Sequence, residues 1–459
     1  MKLLPLFLFA LCSALSAQSP LNPPPGIPIP DDIRLRLEKE SSELKQSIDA
    51  LLKHYETNET MLRLVDDVII YYNAVHYAVI HNQFYSDKKK DEFEIAFQQL
   101  ETGRHRAAAL NEGVAPWTRQ TGLVVRGYRS KIDNSVQPYG LVIPESHDFA
   151  SRKKQRLDVW YHGRGNTLSE LKFIDQRETD IGKLVTDQAI VLHPYGRYCN
   201  ANKFAGEVDT FEALEHVKRH YSIDPDRVSV RGFSMGGAVT WHMATHHAGL
   251  WSAAAPGAGF AESAIYANVM SKDPKPAWYE LKLHNLYDAT NYAANLHQCP
   301  TIAYSGSIDK QKQAADIMAE YLLKEDIELM HVIGEGMGHK YDEKSLKIIN
   351  TTVDAWASEP KDKFPTKIEF VTYTLRYNKM HWLTIDGLEE HWKEARVVAE
   401  ITRPNVIEIK TSNVSALTVE IPRDHPLINP KKKVILYFDH TKTAYPGNSK
   451  KKSYTKKGE

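Results

Sequence analysis

The chain has 459 residues, 42% hydrophobic and 25% charged, enough for two or three folded units of ordinary globular composition. Its 58 Lys and Arg are balanced by 58 Asp and Glu. That balance excludes nucleic acid as a main partner, because binding along a phosphate backbone needs a basic surplus.

Lys2, an apolar run over 3–11 and small residues over 14–17 precede Gln18. Residues 1–17 therefore read as a signal peptide, too short for a membrane span of about 20 residues. The expected location is secreted or periplasmic, and nothing later in the chain has the length of a transmembrane helix. Residues 18–30 form a Pro-rich linker. Cys12 would leave with the signal peptide. The strand order below puts Cys199 and Cys299 near opposite ends of a sheet, so two free thiols are expected rather than a disulfide.

Residues 31–115 read as a helical N-terminal subdomain. Leu37, Leu44, Ile48, Leu51 and Tyr55 recur at helical spacing, and so do Val65, Val68, Ile69, Tyr72, Val75 and Val79. Asp31 or Asp32 could cap the first helix. The pattern changes over 120–358. Short β-rich runs at 122–128, 139–143, 157–161, 189–193, 228–232, 251–255, 301–305 and 329–333 alternate with helical segments. The later runs are almost continuously apolar, as strands buried on both faces should be. The expected fold class is α/β: an eight-stranded, mostly parallel sheet, preceded by the helical segment. After Pro360 and Pro365 only strand-like runs follow, which predicts a small all-β sandwich over 364–440. Residues 441–459, with Lys450, Lys451, Lys452, Lys456 and Lys457, read as a basic disordered tail.

One stretch carries chemistry. VSVRGFSMGG (228–237) ends a strand, places Ser234 between Gly232 and Gly236, and leads into a helix. That is the context of a Gly-x-Ser-x-Gly nucleophile elbow. A serine hydroxyl needs a base, and the base an orienting carboxylate. Asp309 follows the seventh run and His339, flanked by Gly338 and near Gly336, follows the eighth. Both therefore belong to the sheet edge that presents Ser234, where open α/β sheets bind ligands. Asp288 and Asp316 are weaker rivals, one preceding the seventh strand and the other inside a helix. The oxyanion of a tetrahedral intermediate needs two donors. The Met235 amide is the first, and the Arg164 amide the second, with Gly163 as the alternative. His162 is expected to prop that loop. Arg197 and Glu262 reach the same edge. They are candidates for substrate binding, with Arg164 or Arg197 pairing a substrate carboxylate or sulfate. The competing reading, slightly favoured, has these arginines holding loops against Glu207 or Asp209. His242 and His246 stand four apart on one helix but lack a matching ligand cluster, so no metal site is expected.

The stretches YHGRGNTLSELKFI, HPYGRYCNANKFAGEVDTFEAL, IDPDRVSVRGFSMGGAVTWHMA and AAAPGAGFAES resemble the α/β-hydrolase superfamily. More closely, the chain is similar to secreted bacterial proteins, of planctomycete type, of the prolyl oligopeptidase family and its dienelactone-hydrolase and feruloyl-esterase-like neighbours. The resemblance implies a Ser-His-Asp triad at Ser234, His339 and Asp309 and no cofactor. One departure is that helices, not a β-propeller, precede the sheet, which weakens the peptidase reading. The expectation is a secreted serine hydrolase cleaving a carboxylic ester, an acetyl or feruloyl ester of a polysaccharide being preferred by analogy. The alternatives are a serine peptidase, or a binding module working through the sandwich.

Overall fold

A computed structural model describes residues 22–88, 90–439, 441–445 and 450–455. The expected signal peptide with Cys12, and Lys456 and Lys457, lie outside these residues. Where apolar residues recur three and four apart the chain is helical: α1 (Asp31–His54), α2 (Glu59–Leu64), α3 (Asp66–Ile80) and α4 (Glu92–Asn111). Leu37, Leu44, Ile48 and Leu51 are the buried stripe of α1. Asp31 and Asp32 lie in its first turn, where they complement the helix dipole, while Pro30 holds the cap position. Asn58 and Asp91 cap α2 and α4 with their side chains.

The eight expected runs are strands: β1 (Gly122–Arg129), β2 (Val136–Ile143), β3 (Gln155–Tyr161), β4 (Ala189–Pro194), β5 (Ile223–Phe233), β6 (Ala253–Gly257), β7 (Ile302–Gly306) and β8 (Met330–Gly334). They form one sheet in the order β1-β2-β4-β3-β5-β6-β7-β8. β2 alone runs against the common direction of the other seven strands. The connections carry α5 (Glu170–Thr179), α6 (Ala205–His220), α7 (Met235–His246), α8 (Ser263–Tyr266), α9 (Trp278–Leu283) and α10 (Lys312–Leu323), and α11 (Glu343–Trp356) follows β8. Every residue of α7 is buried, which explains why its sequence shows no polar face.

The N-terminal helices share their core with this sheet, since Leu37 and Tyr71 belong to the same cluster as Val125, Leu171 and Ile174. Asp67 on α3 fixes the joint. It accepts from Arg126 Nε at 2.8 Å, Gly127 N at 2.7 Å and Trp117 Nε1 at 2.8 Å, wholly buried. Burial alone would push the Asp67 carboxyl up, but the charges of Arg126 and Arg106 hold it below its ordinary value. The proline-rich lead-in also lies on the body. Ile29 is buried and Ile27 N donates to Phe84 O at 2.7 Å.

The C-terminal strands are β9 (Lys367–Thr372), β10 (Lys379–Met380), β11 (Leu383–Leu388), β12 (Ala395–Arg403), β13 (Val406–Ser412), β14 (Val414–Glu420), β15 (Val434–Phe438), β16 (Thr441–Tyr445) and β17 (Lys451–Thr455). They form two sheets, β10-β11-β14-β17 and β16-β15-β13-β12-β9. The reading of 441–459 as a disordered tail is thus corrected over its described part, where β16 pairs with β15 and β17 with β14. Both are edge strands, where lysines are tolerated because one side faces solvent. Tyr454 supplies the apolar contact, stacking on Phe438 at 4.3 Å. The apolar core of these sheets is continuous with that of the α/β body, and buried Asn295 joins the two by exchanging hydrogen bonds with Val371 N and O at 2.7 and 3.0 Å.

Candidate active site

β5 ends at Phe233 and α7 begins at Met235, so Ser234 must turn the chain alone. It does so at φ 61° and ψ −122°, a conformation L-residues avoid at a cost of about 1–3 kcal/mol. Two backbone bonds hold it there: Ser234 N donates to Gly257 O at 2.8 Å, and Ala238 N to Ser234 O at 3.1 Å. The flanking glycines are required by space. A Cβ on Gly232 would lie 2.4 Å from Gly236 O, and one on Gly236 would lie 2.1 Å from Tyr161 O. The turn is therefore pressed against the end of β3, with the N-terminus of α7 directed at the serine.

Asp309 and His339 meet across the loops after β7 and β8, with Oδ2 and Nδ1 2.7 Å apart. The Asp309 side chain is 4% exposed and that of His339 41%. The two loops are laced together: Ser307 N donates to Gly334 O at 2.9 Å, Ile308 N to Met337 O at 3.1 Å, and Gly336 N to Ser307 Oγ at 2.8 Å. The Phe233 ring lies 4.9 Å from the imidazole, and Tyr304 donates its hydroxyl to Lys340 O at 2.7 Å beside it. Phe233, the residue before Ser234, thus connects the nucleophile turn to the histidine loop. Among the described residues no hydrogen bond joins Ser234 Oγ to His339, a contact that often tightens only around a substrate. The rival carboxylates are engaged elsewhere. Asp288 accepts from Ser263 N and Oγ at 2.8 and 2.7 Å, and Asp316 pairs with Lys312 at 2.7 Å.

The loop after β3 passes directly over the serine, since a Cβ on Gly163 would lie 3.7 Å from Ser234 Cβ. His162 is half-buried at the base of this loop, its ring nitrogens 2.9 Å from Gly163 O and 3.0 Å from Tyr195 O. Burial lowers its pKa, while the two carbonyl oxygens act in the opposite direction. Cys199 and Cys299 are both free thiols. Cys199 sits beneath the loop, with Gly165 N donating to Sγ at 3.0 Å.

Two proposed substrate-binding residues have other partners. Arg197 pairs with Asp209 at 2.7 Å and Asp133 at 2.6 Å, so its guanidinium holds a loop. Glu262 caps α8, accepting from Ile265 N at 2.8 Å and Tyr266 N at 3.2 Å. Arg197 thus follows the loop-holding reading, and the backbone after β4 gives the reason: Gly196, Arg197, Tyr198, Ala201, Asn202 and Phe204 all have positive φ, and so contorted a loop needs a clamp. His242 and His246 are buried structural residues. The described residues contain no group of three or more metal-binding side chains.

A cavity of about 350 Å³ opens over Ser234 and Met235, lined also by Arg164, Cys199, Lys203 and Phe260. Lys203, Phe260 and Tyr266 escaped the sequence reading, although each follows a strand whose C-terminal edge it had singled out. Loop residues have no periodicity to betray which way they face.

The sheet order, the strand–serine–helix turn and the Asp–His pair at one edge define an α/β-hydrolase, and the chain is a serine hydrolase. Residues 200–359 match the model of the prolyl oligopeptidase family, a stretch that contains Ser234, Asp309 and His339. No curated protein matches the chain. Among solved structures it is similar to the fluorophosphonate-binding serine hydrolase FphF of Staphylococcus aureus, at 16% identity and a TM-score of 0.41, over 52% of this chain and 100% of that one. An acylaminoacyl peptidase of Pyrococcus horikoshii aligns at 13% identity and 0.40, over 53% of this chain and 43% of that one. A ferulic acid esterase aligns at 15% identity and 0.38, over 52% and 99%.

Proposed function

We propose that this serine hydrolase is exported and cleaves carboxylic esters through an acyl-enzyme on Ser234. The observation that carries the reading is the 2.7 Å Asp309–His339 contact at the sheet edge where Ser234 is held in its forced turn. With Asp309 fixing Nδ1 as the donor, Nε2 is left to accept the Ser234 proton as Oγ attacks the carbonyl carbon. The imidazolium so formed is stabilised by the adjacent carboxylate and returns its proton to the leaving alcohol. Water then enters by the same route and releases the acid. The Met235 amide, at the first position of α7, and the Arg164 amide receive the oxyanion, Gly163 being the alternative in the same loop. A polysaccharide-linked acetyl or feruloyl ester fits an exported enzyme whose histidine is 41% exposed.

A serine peptidase is the second reading, favoured by the family match over 200–359. The purified protein should be assayed on aryl acetates, acetylated and feruloylated glycans, and prolyl and aminoacyl amides. Ester turnover at least tenfold above amide turnover supports the first reading. Amide cleavage with aryl acetates untouched would reverse the order.

A further inference from the structure

We propose that the substrate of this site carries an anionic group, a carboxylate or a sulfate, and that Lys203 recognises it. The proposal rests on the hydrolase reading above and names the substrate class of the same cavity. Lys203 lies in the contorted loop between β4 and α6, and lines the cavity together with Ser234 and Met235. Its Nζ lies 4.9 Å from the Tyr287 ring centroid and 5.7 Å from that of Phe260. These ring faces position the ammonium without neutralising it. Among the described residues no carboxylate forms an ion pair with it, and burial pushes its pKa down.

The wall around it is one-sided. The chain has equal numbers of acidic and basic residues, yet among the described residues the cavity is lined by Lys203 and Arg164 and by no acidic side chain. The Arg164 side chain is held through Nε to Asn166 Oδ1 at 2.8 Å, and Arg197 is fully engaged by Asp209 and Asp133. Arg164 keeps its charge and its remaining N–H groups but is exposed to water, so among the described lining residues Lys203 is the cation held half-buried without an ion pair. The Asp288 carboxylate favours the ammonium from beyond ion-pair distance, but desolvation outweighs it, and an anionic group on the substrate would reduce that cost when bound. Phe260 and Tyr266, stacked at 4.2 Å, flank the same space and offer a flat surface to the rest of the molecule.

The test compares matched esters. One pair carries the charge on the alcohol, 3-acetoxybenzoate against its methyl ester, with 3-acetoxyphenyl sulfate as the sulfate arm. The other carries it on the acyl chain, phenyl hydrogen adipate against phenyl hexanoate. We expect kcat/KM for one anionic member to exceed its neutral partner about 10- to 100-fold, chiefly through KM. Lys203→Met should collapse that ratio towards one, Lys203→Arg should restore much of it, and added salt should shrink it in the wild type. Equal rates within both pairs, or a preference that survives Lys203→Met, would overturn the proposal and leave the esterase reading standing. If no ester is cleaved, the esterase reading fails separately. The anion claim is then decided by calorimetric titration with benzoate, phenyl sulfate and benzamide. Tighter binding of an anion than of benzamide, lost in Lys203→Met, upholds it, and equal binding rejects it.

Discussion

Two carboxylate–imidazole pairs in this protein have the same contact distance. Asp309 and His339 meet at 2.7 Å on the sheet edge, and Glu207 and His247 meet at 2.7 Å between α6 and the end of α7. Their surroundings separate them. Glu207 is further engaged by Arg376 at 3.1 Å and the Tyr377 hydroxyl at 2.9 Å, both from the chain that follows β9, and it lies against buried His242. Every partner is a protein group, so the pair ties the α/β body to the C-terminal sheets. Asp309 is just as buried, but its histidine stands 41% exposed with a second ring nitrogen free to meet a nucleophile. A short contact therefore does not mark a catalytic pair. An imidazole with one face committed and the other open does.

The comparison breaks if the two carboxylates respond alike. Asp309→Asn should lower kcat by about 10⁴-fold, because the amide would leave the imidazole in the wrong tautomer, with little change in denaturant midpoint. Glu207→Gln should do the reverse. It should cost about 1–3 kcal/mol in urea unfolding by weakening the hydrogen bonds that His247, Arg376 and Tyr377 make to the buried carboxylate, and change kcat/KM less than about threefold.

Acid should sharpen the same contrast. Burial alone would raise the Glu207 carboxyl, but the hydrogen bond with His247 at 2.7 Å and the proximity of His242 at 3.5 Å outweigh it and hold it well below its ordinary value of 4.5. A depressed carboxylate adds stability that is complete above the unfolded value and lost as the pH falls below it. Burial also lowers His242 below its ordinary 6.5, so the unfolded chain takes up that proton first and stability falls as the pH drops below 6.5. Melting temperature should accordingly decline from about pH 6.5 downward in the wild type. In Glu207→Gln the further fall below pH 4.5 should be reduced.

Smaller effects test the loops. Arg197→Met leaves buried Asp209 without its partner and should cost about 1–3 kcal/mol of stability. It should leave the ratio of anionic to neutral ester turnover untouched, unlike Lys203→Met. Tyr304→Phe removes the 2.7 Å support under the histidine loop and should lower kcat only a few-fold, read from initial rates.

The sheet was legible because buried parallel strands leave near-continuous apolar runs, and Ser234, Asp309 and His339 were legible because each follows such a run at a fixed place in the order. The N-terminal helices showed their periodicity but not that Asp67 would fasten them to β1, since a buried ion pair needs a partner 59 residues away. β16 and β17 were hidden by their lysines, which edge strands tolerate. Arg197 and Lys203 lie six positions apart in one loop, one clamped and one facing the cavity. Only the positive-φ backbone between them decides which is which.

The central claim is that Ser234 is the nucleophile served by His339. The most direct measurement is labelling of the purified chain with a fluorophosphonate probe, followed by mass-spectrometric mapping of the adduct. We predict a single adduct on Ser234, absent in Ser234→Ala and slowed in His339→Ala. An adduct on another residue, or undiminished labelling of Ser234→Ala, would contradict the assignment.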